Sequence, residues 1–66
     1  MQHIGDKVKV KKDYILKLAK RNFGLAKFLA NKVGVIIELD VTWHWIVKFD
    51  DVNIYAFKHY DLEDVE

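Results

Sequence analysis

The sequence predicts a mainly β fold, a small barrel of four to five antiparallel strands with a helical segment in the long first loop. Three observations lead to this prediction. The 66 residues suffice for a single domain, residues 1–66. Hydrophobic residues make up 52% of the chain, which is enough for one dense core. Short segments of alternating apolar and polar residues are separated by tight turns, and closing them into a barrel would leave no exposed strand edge.

The first strand is predicted at residues 6–12. Val8 and Val10 alternate there with lysines, so one side of the strand is apolar and the other is charged. Gly5 and Asp6 precede it as a turn signal. This pattern indicates a strand with one face in the core and one in solvent.

A helix is predicted over residues 13–32, because polar and apolar side chains separate onto two arcs of a helical wheel. Asp13 is the expected N-cap, and Gly34 lies just past the expected end. A glycine in the interior of a helix costs about 1 kcal/mol relative to alanine. Because Gly24 lies inside the predicted helix, two alternatives stay open: a helix shorter than residues 13–32, or a helix broken near residues 22–24.

The remaining strands are predicted at residues 33–39, 42–49, 52–58 and 62–65, with turns at the aspartates between them. In residues 33–39 the odd-numbered positions are expected to share one face. The pattern in residues 42–49 is the clearest, because alternate positions are all large and apolar. These positions are Trp43, Trp45, Val47 and Phe49. In the following strand, Asn53, Tyr55 and Phe57 are expected to share one face, and Phe57 is assigned to the core.

An α+β fold is the alternative, with one helix on a three- to four-stranded antiparallel sheet. In that arrangement Leu18, Leu25 and Leu29 would enter the core. The two folds differ in whether residues 14–31 form a full helix or an irregular loop.

Four stretches of sequence follow one another in the order typical of a known group of barrels. They read IGDKVKV at residues 4–10, KVGVI at 32–36, IVKFDDVN at 46–53 and LEDV at 62–65. Together they resemble the SH3-like barrels of the electron-transport accessory group, and similar short bacterial or phage barrels. That group includes the small stromal-side subunit of photosystem I, the variable chain of ferredoxin–thioredoxin reductase and the nitrile hydratase β-chain barrel. The resemblance implies a non-catalytic docking or accessory role, and it does not cover the lysine-rich residues 17–32.

Charge is distributed unevenly along the chain. Residues 1–34 carry nine basic side chains against two acidic ones, a balance of +7, whereas residues 35–66 carry two basic against eight acidic ones, a balance of −6. Five cations share one arc of the predicted helix: Lys17, Lys20, Arg21, Lys27 and Lys32. This arc could contact phosphates, dock an acidic protein, or form a solvated face that attracts the acidic half of the chain.

Two aromatic residues are the other candidate binding residues. Phe28 falls among the lysines of the helical wheel, where it would either anchor a partner or fold back onto the sheet if the helix breaks. Trp43 and Trp45 lie on the face predicted for the core, and Trp43, nearer the strand end, is expected to be the more exposed of the two. The predicted partner-binding residues are Lys17, Lys20, Arg21, Lys27, Phe28, Lys32 and Trp43.

The residue types argue against an enzyme. The chain has no serine, no cysteine and a single threonine, Thr42, so most nucleophiles are missing. The aspartate and glutamate clusters lack a calcium-loop pattern and are interpreted as turn caps, so no metal and no cofactor are expected. No apolar run approaches the about 20 residues of a membrane span. The expected protein is a cytoplasmic adaptor or accessory module, a monomer or weak homodimer, with a protein partner or, alternatively, a nucleic acid bound by the basic face of residues 17–32.

Overall fold

A computed structural model describes residues 2–65 of the chain. Two α-helices lie between the first two strands, and a 3₁₀ turn at His59–Asp61 precedes the last strand. The helices are α1 (Lys12–Ala19) and α2 (Phe23–Leu29). The strands are β1 (Lys7–Val10), β2 (Gly34–Leu39), β3 (Trp45–Lys48), β4 (Ile54–Phe57) and β5 (Leu62–Asp64).

The five strands form one antiparallel sheet in the order β4-β3-β2-β1-β5. The predicted antiparallel sheet with a helical insertion after the first strand is therefore confirmed at the level of a mainly β or α+β fold. Within residues 2–65 no strand pairing joins β4 to β5, so the sheet is not closed into the predicted barrel. Both edge strands are short, four residues in β4 and three in β5, which limits the exposed edge.

The helical segment contains two helices, the broken form that was left open as an alternative to one continuous helix, because the chain leaves the helical conformation at residues 20–22. The side chain of Asn22 accepts a hydrogen bond from the backbone N–H of Leu25 at 3.0 Å and so caps a new helix. The predicted N-cap at Asp13 is wrong: α1 begins at Lys12, and Asp13 lies in its first turn, where a negative charge is favourable.

The core lies between the two helices and one face of the sheet. Nine buried side chains form it: Val8, Val10, Leu18, Ala26, Leu29, Ile36, Val47, Phe57 and Leu62. Of the three leucines expected in the core beneath a helix, Leu18 and Leu29 are buried and Leu25 is half-buried. Burial of these apolar surfaces is the main source of stability in a chain without disulfides.

The face predicted for β2 is wrong in one respect. The pairing of β2 with β3 shifts register between Ile36 and Glu38, so the alternation of sides is interrupted there. Ile36 pairs with Val47 in the core, whereas Leu39 pairs with Trp45. The odd-numbered residues of β2 therefore do not share one face, because Val35 and Ile37 are exposed and Leu39 is half-buried.

Candidate functional site

The turn between β2 and β3 is organised by one carboxylate. Oδ1 of Asp40 accepts hydrogen bonds from the backbone N–H groups of Thr42 and His44, each at 2.9 Å, and from the Thr42 hydroxyl at 2.7 Å. The hydroxyl oxygen of Thr42 also lies 2.8 Å from Nδ1 of His44. These hydrogen bonds, the one from His44 first and the Thr42 hydroxyl next, hold the pKa of Asp40 below its ordinary value of 3.8.

Trp43 occupies this turn in a conformation that bulky residues rarely adopt. Its φ is +62°, in the left-handed region, which costs of order 1–3 kcal/mol for a residue with a Cβ atom. Its backbone N–H donates to the Asp40 carbonyl at 3.1 Å, which keeps the turn closed. The Trp43 side chain is 73% exposed, so burial does not offset the cost. The turn thus presents the largest apolar side chain type to solvent.

A groove with a volume of about 510 Å³ runs beside this turn. Its lining residues are Gln2, Leu39, Trp43, Trp45, His59 and Asp64, and we call it the Trp43 groove. Trp45 pairs with Leu39 on one side and with Phe57 on the other, so the half-buried indole continues from the core into the groove. The groove therefore has an apolar floor and two indoles, one fixed by packing and one displayed on the turn.

Long-range hydrogen bonds fix the rim of the Trp43 groove. Nε2 of Gln2 donates to the carbonyls of His59 at 3.1 Å and Leu62 at 3.3 Å. Across the groove, Nζ of Lys58 donates to the carbonyl of Thr42 at 3.4 Å. These contacts connect the N-terminal residues, the 3₁₀ turn and the β2–β3 turn, which are far apart in the sequence. A site held in this way is largely formed before any ligand arrives.

Four of the predicted cationic residues lie on the helical segment and are exposed: Lys17, Lys20, Arg21 and Lys27. We call them the basic helical face. In the part of the chain that the structure describes, no carboxylate approaches any of these four within salt-bridge distance. The basic helical face and the Trp43 groove share no lining residue, so the predicted set divides into two separate surfaces.

Phe28 and Lys32 belong to neither surface. Phe28 is half-buried and packs edge-to-face on Phe49, with 6.4 Å between ring centroids, so it folds back onto the sheet, the second of the two predicted possibilities. Nζ of Lys32 lies 5.1 Å from the Phe28 ring centroid, a cation–π distance. Lys32 also helps to lower the pKa of Asp50, although the Asn53 side chain contributes most. Both residues therefore stabilise the fold locally.

One exposed aromatic residue, Phe23, was not predicted from the sequence. Phe23 was placed on the apolar arc of one continuous helix, but it is 69% exposed next to the basic helical face. The break before α2 rotates the second helix relative to the first, which turns Phe23 outward and Phe28 inward. The break near residues 22–24 was an open alternative, and the presence of Asn22, a preferred N-cap residue, could have decided in its favour.

Other functional classes find little support in the described residues. Within residues 2–65, no group of three histidine, cysteine, aspartate or glutamate side chains is placed to hold a metal ion. No helix in that part of the chain has the length and apolar character needed to cross a membrane. Comparison with protein-family models, curated proteins and solved structures found no match to this chain. The Trp43 groove offers apolar contact, two indoles, the Gln2 amide, the His59 imidazole and the Asp64 carboxylate.

Proposed function

We propose that this protein is a non-catalytic protein-binding adaptor or accessory module, and that the Trp43 groove receives a segment of its partner. One observation carries the proposal: the β2–β3 turn holds Trp43 in a strained conformation in which its side chain remains exposed. Strain at an exposed residue persists in folded proteins mainly where it serves a site. Tryptophan is also among the residues that contribute most to binding at protein interfaces.

We further propose that the fold is an SH3-like barrel. The strand order supports this, because the fifth strand returns beside the first and a 3₁₀ turn precedes it. The edge strands β4 and β5 would then approach one another around the core. An accessory role follows only by analogy with such barrels, since a fold does not determine a function. A cytoplasmic location is part of the proposal, and the lack of cysteine fits a reducing compartment.

Selection from a randomised peptide library displayed on phage tests the proposed function. We expect peptides selected on the wild-type protein to bind Trp43→Ala at least about tenfold more weakly, as for a central aromatic contact. Val52→Ala is the matched control, because Val52 is 85% exposed in the β3–β4 turn and lies outside the groove. Equal binding to Trp43→Ala, or a selection that enriches no peptide, would contradict the proposal.

Nucleic-acid binding is the second candidate function. It is favoured by the basic helical face, whose four cations have no carboxylate within salt-bridge distance in the described chain, and by the exposed ring of Phe23 beside it. Cations can neutralise phosphates while an aromatic ring stacks on a base. The residues come from the +7 half of the chain.

Fluorescence anisotropy with labelled single- and double-stranded oligonucleotides at low salt tests this second function. We expect affinity to fall steeply with added salt and to be lost when Lys17, Lys20 and Arg21 are all changed to glutamate. Lys7→Glu is the control, because Lys7 is also exposed but lies on β1. An absence of binding at about 50 µM protein would rule out this function, since non-specific binding falls roughly in the 1–100 µM range.

A further inference from the structure

We infer that the Trp43 groove selects a basic side chain, arginine in preference to lysine, from the segment that it binds. This inference rests on the proposed protein-binding function and names the chemistry of the occupant. It follows from the juxtaposition of Trp43 and Trp45 with the Asp64 carboxylate in one groove. Indole faces attract cations through the ring quadrupole, and a carboxylate accepts hydrogen bonds from a guanidinium group.

The charge around the groove supports a cationic occupant. Five of its six lining residues come from residues 35–66, the half of the chain with a balance of −6. With His59 neutral, Asp64 gives the lining a formal charge of −1. Asp64 is exposed, and no cation among residues 2–65 lies within salt-bridge distance of its carboxylate. The carboxylate is therefore available to a ligand.

Two lysines lie near the groove. Lys58 donates from its ammonium group to the Thr42 carbonyl on the rim and keeps its positive charge there. Lys7 lines a smaller adjoining depression with Asp64, but Asp6 lines it as well. Asp6, Lys7 and Asp64 together give the edge of the molecule next to the groove a formal charge of −1, and Lys58 on the rim brings the total to zero. A basic side chain entering from this edge would therefore meet no net repulsion.

The side chains that line the groove favour arginine over lysine. The guanidinium group is planar, so it can stack on an indole face and still donate two hydrogen bonds to a carboxylate, whereas an ammonium group acts as a compact, strongly hydrated charge. Trp43 supplies an exposed indole face, and Asp64 supplies the acceptor. The occupant that fits both is an arginine side chain of a partner protein.

The test uses N-acetyl-arginine amide and its neutral analogue N-acetyl-citrulline amide as probes, titrated into ¹⁵N-labelled protein. We expect the arginine probe to shift the indole N–H signals of Trp43 and Trp45 with saturation at millimolar concentration, as suits so small a ligand. The citrulline probe should bind at least about fivefold more weakly, since it lacks the charge. Equal shifts with the two probes, or none with either, would overturn the inference.

Two variants assign the effect to Asp64. We expect Asp64→Asn to weaken arginine binding about threefold or more, through loss of the charged acceptor. Asp51→Asn should leave it unchanged, because Asp51 is a fully exposed carboxylate near the opposite end of β3 and lies 3.7 Å from Lys48. An equal effect of both variants would mean that only overall charge matters, which would overturn the assignment to the groove.

The peptide selection separates this inference from the function on which it rests. Selected peptides that need Trp43 and are enriched in arginine support both. Selected peptides that need Trp43 but show no enrichment in basic residues overturn the arginine preference and leave the protein-binding function standing. If the Trp43 and Trp45 signals shift with protein concentration alone while a dimer forms, the occupant is the basic segment of a second copy, and the inference of a partner protein is overturned.

Discussion

The two turns that flank β3 are built alike but place their neighbouring aromatic side chains differently. Each begins with an aspartate whose carboxylate accepts the backbone N–H two residues later, at 2.9 Å for Asp40 with Thr42 and at 2.9 Å for Asp50 with Val52. In each case the hydrogen bonds hold the pKa of the aspartate below 3.8. The turns differ in their aromatic residue, Trp43 in the first and Phe49 in the second.

The difference shows that capping by aspartate does not require strained backbone. Of the two turns that flank β3, only the β2–β3 turn contains a residue with positive φ, which is Trp43. The other described residues with positive φ, Gly5 and Asn31, lie elsewhere in the chain. Phe49 instead turns into the core and packs against the rings of Tyr55 and Phe57, with centroid separations of 6.4 and 6.1 Å. The second turn is a structural connection, whereas the first displays a side chain at a cost in stability.

The largest expected effect concerns Phe49. We expect Phe49→Ala to lower the free energy of unfolding by about 3 kcal/mol, because it removes a ring packed against three other aromatic rings. Trp43→Ala should change it by less than about 1 kcal/mol, since little area is buried there. Urea denaturation monitored by circular dichroism measures both values. A similar loss in the free energy of unfolding for Phe49→Ala and Trp43→Ala would show that the two aromatic side chains contribute equally to stability.

A second variant, in the neighbouring strand β2, tests the packing around the Phe49 ring. A Cβ atom added at Gly34 would lie 2.5 Å from Cγ1 of Val47 and 2.9 Å from the Phe49 ring. We expect Gly34→Ala to destabilise the protein by about 1–3 kcal/mol through overpacking. Gly24→Ala is the control, because a Cβ there meets only the Asn22 side chain, at 3.8 Å. Thermal unfolding of both variants gives the comparison, and an unchanged midpoint for Gly34→Ala would contradict it.

Replacing Trp43 by glycine should separate stability from function. We expect Trp43→Gly to stabilise the fold by about 0.5–1 kcal/mol, because glycine adopts positive φ without a steric penalty. The same variant should lose peptide binding. Val52→Gly in the other turn should instead destabilise slightly, since it adds chain entropy without relieving strain. Destabilisation by Trp43→Gly as large as that by Val52→Gly would show that relief of the left-handed conformation contributes nothing.

The smallest effect is the dependence of each turn on pH. Because the pKa values of Asp40 and Asp50 are lowered in the folded protein, the stability they contribute is present above about pH 4 and is lost as the pH falls through the folded values. We expect Asp40→Asn to flatten the decline of stability below pH 4, and Asp50→Asn to do the same. Tryptophan fluorescence should report the opening of the first turn only. If stability declines below pH 4 in both variants as it does in the wild-type protein, Asp40 and Asp50 are not the groups responsible.

The sequence predicted those parts of the fold that depend on local alternation. Trp45 and Val47 share one side of β3, and Phe49, directly after the strand, packs against the same core, as period-two alternation requires. A break near residues 22–24 was one of the predicted alternatives, but the faces assigned by a continuous helical wheel were wrong for Phe23 and Phe28, because the cap at Asn22 starts a second helix. The prediction that the odd-numbered residues of β2 share one face was wrong because of the register shift. That shift depends on the pairing of β2 with β3, which the sequence of one strand does not reveal.

The candidate site was predictable only in part. Trp43 was expected to be the more exposed indole, since it lies near a strand end, and it is. Its neighbours in the groove come from positions as distant as Gln2 and Asp64, which only the folded sheet brings together. The aromatic residue next to the basic helical face was predicted as Phe28 but is Phe23, because that choice depends on the helix break.

The pairing of β5 with β1 has a consequence for synthesis on the ribosome. Val10 lies opposite Leu62, and Val8 opposite Asp64, so partners are more than 50 residues apart in the chain. Such distant pairings slow folding, since a long loop must close before any contact forms. While residue 62 is still inside the ribosomal exit tunnel, the backbone of β1 has no partner on that edge. We therefore expect the nascent chain to expose an unpaired strand edge until β5 emerges.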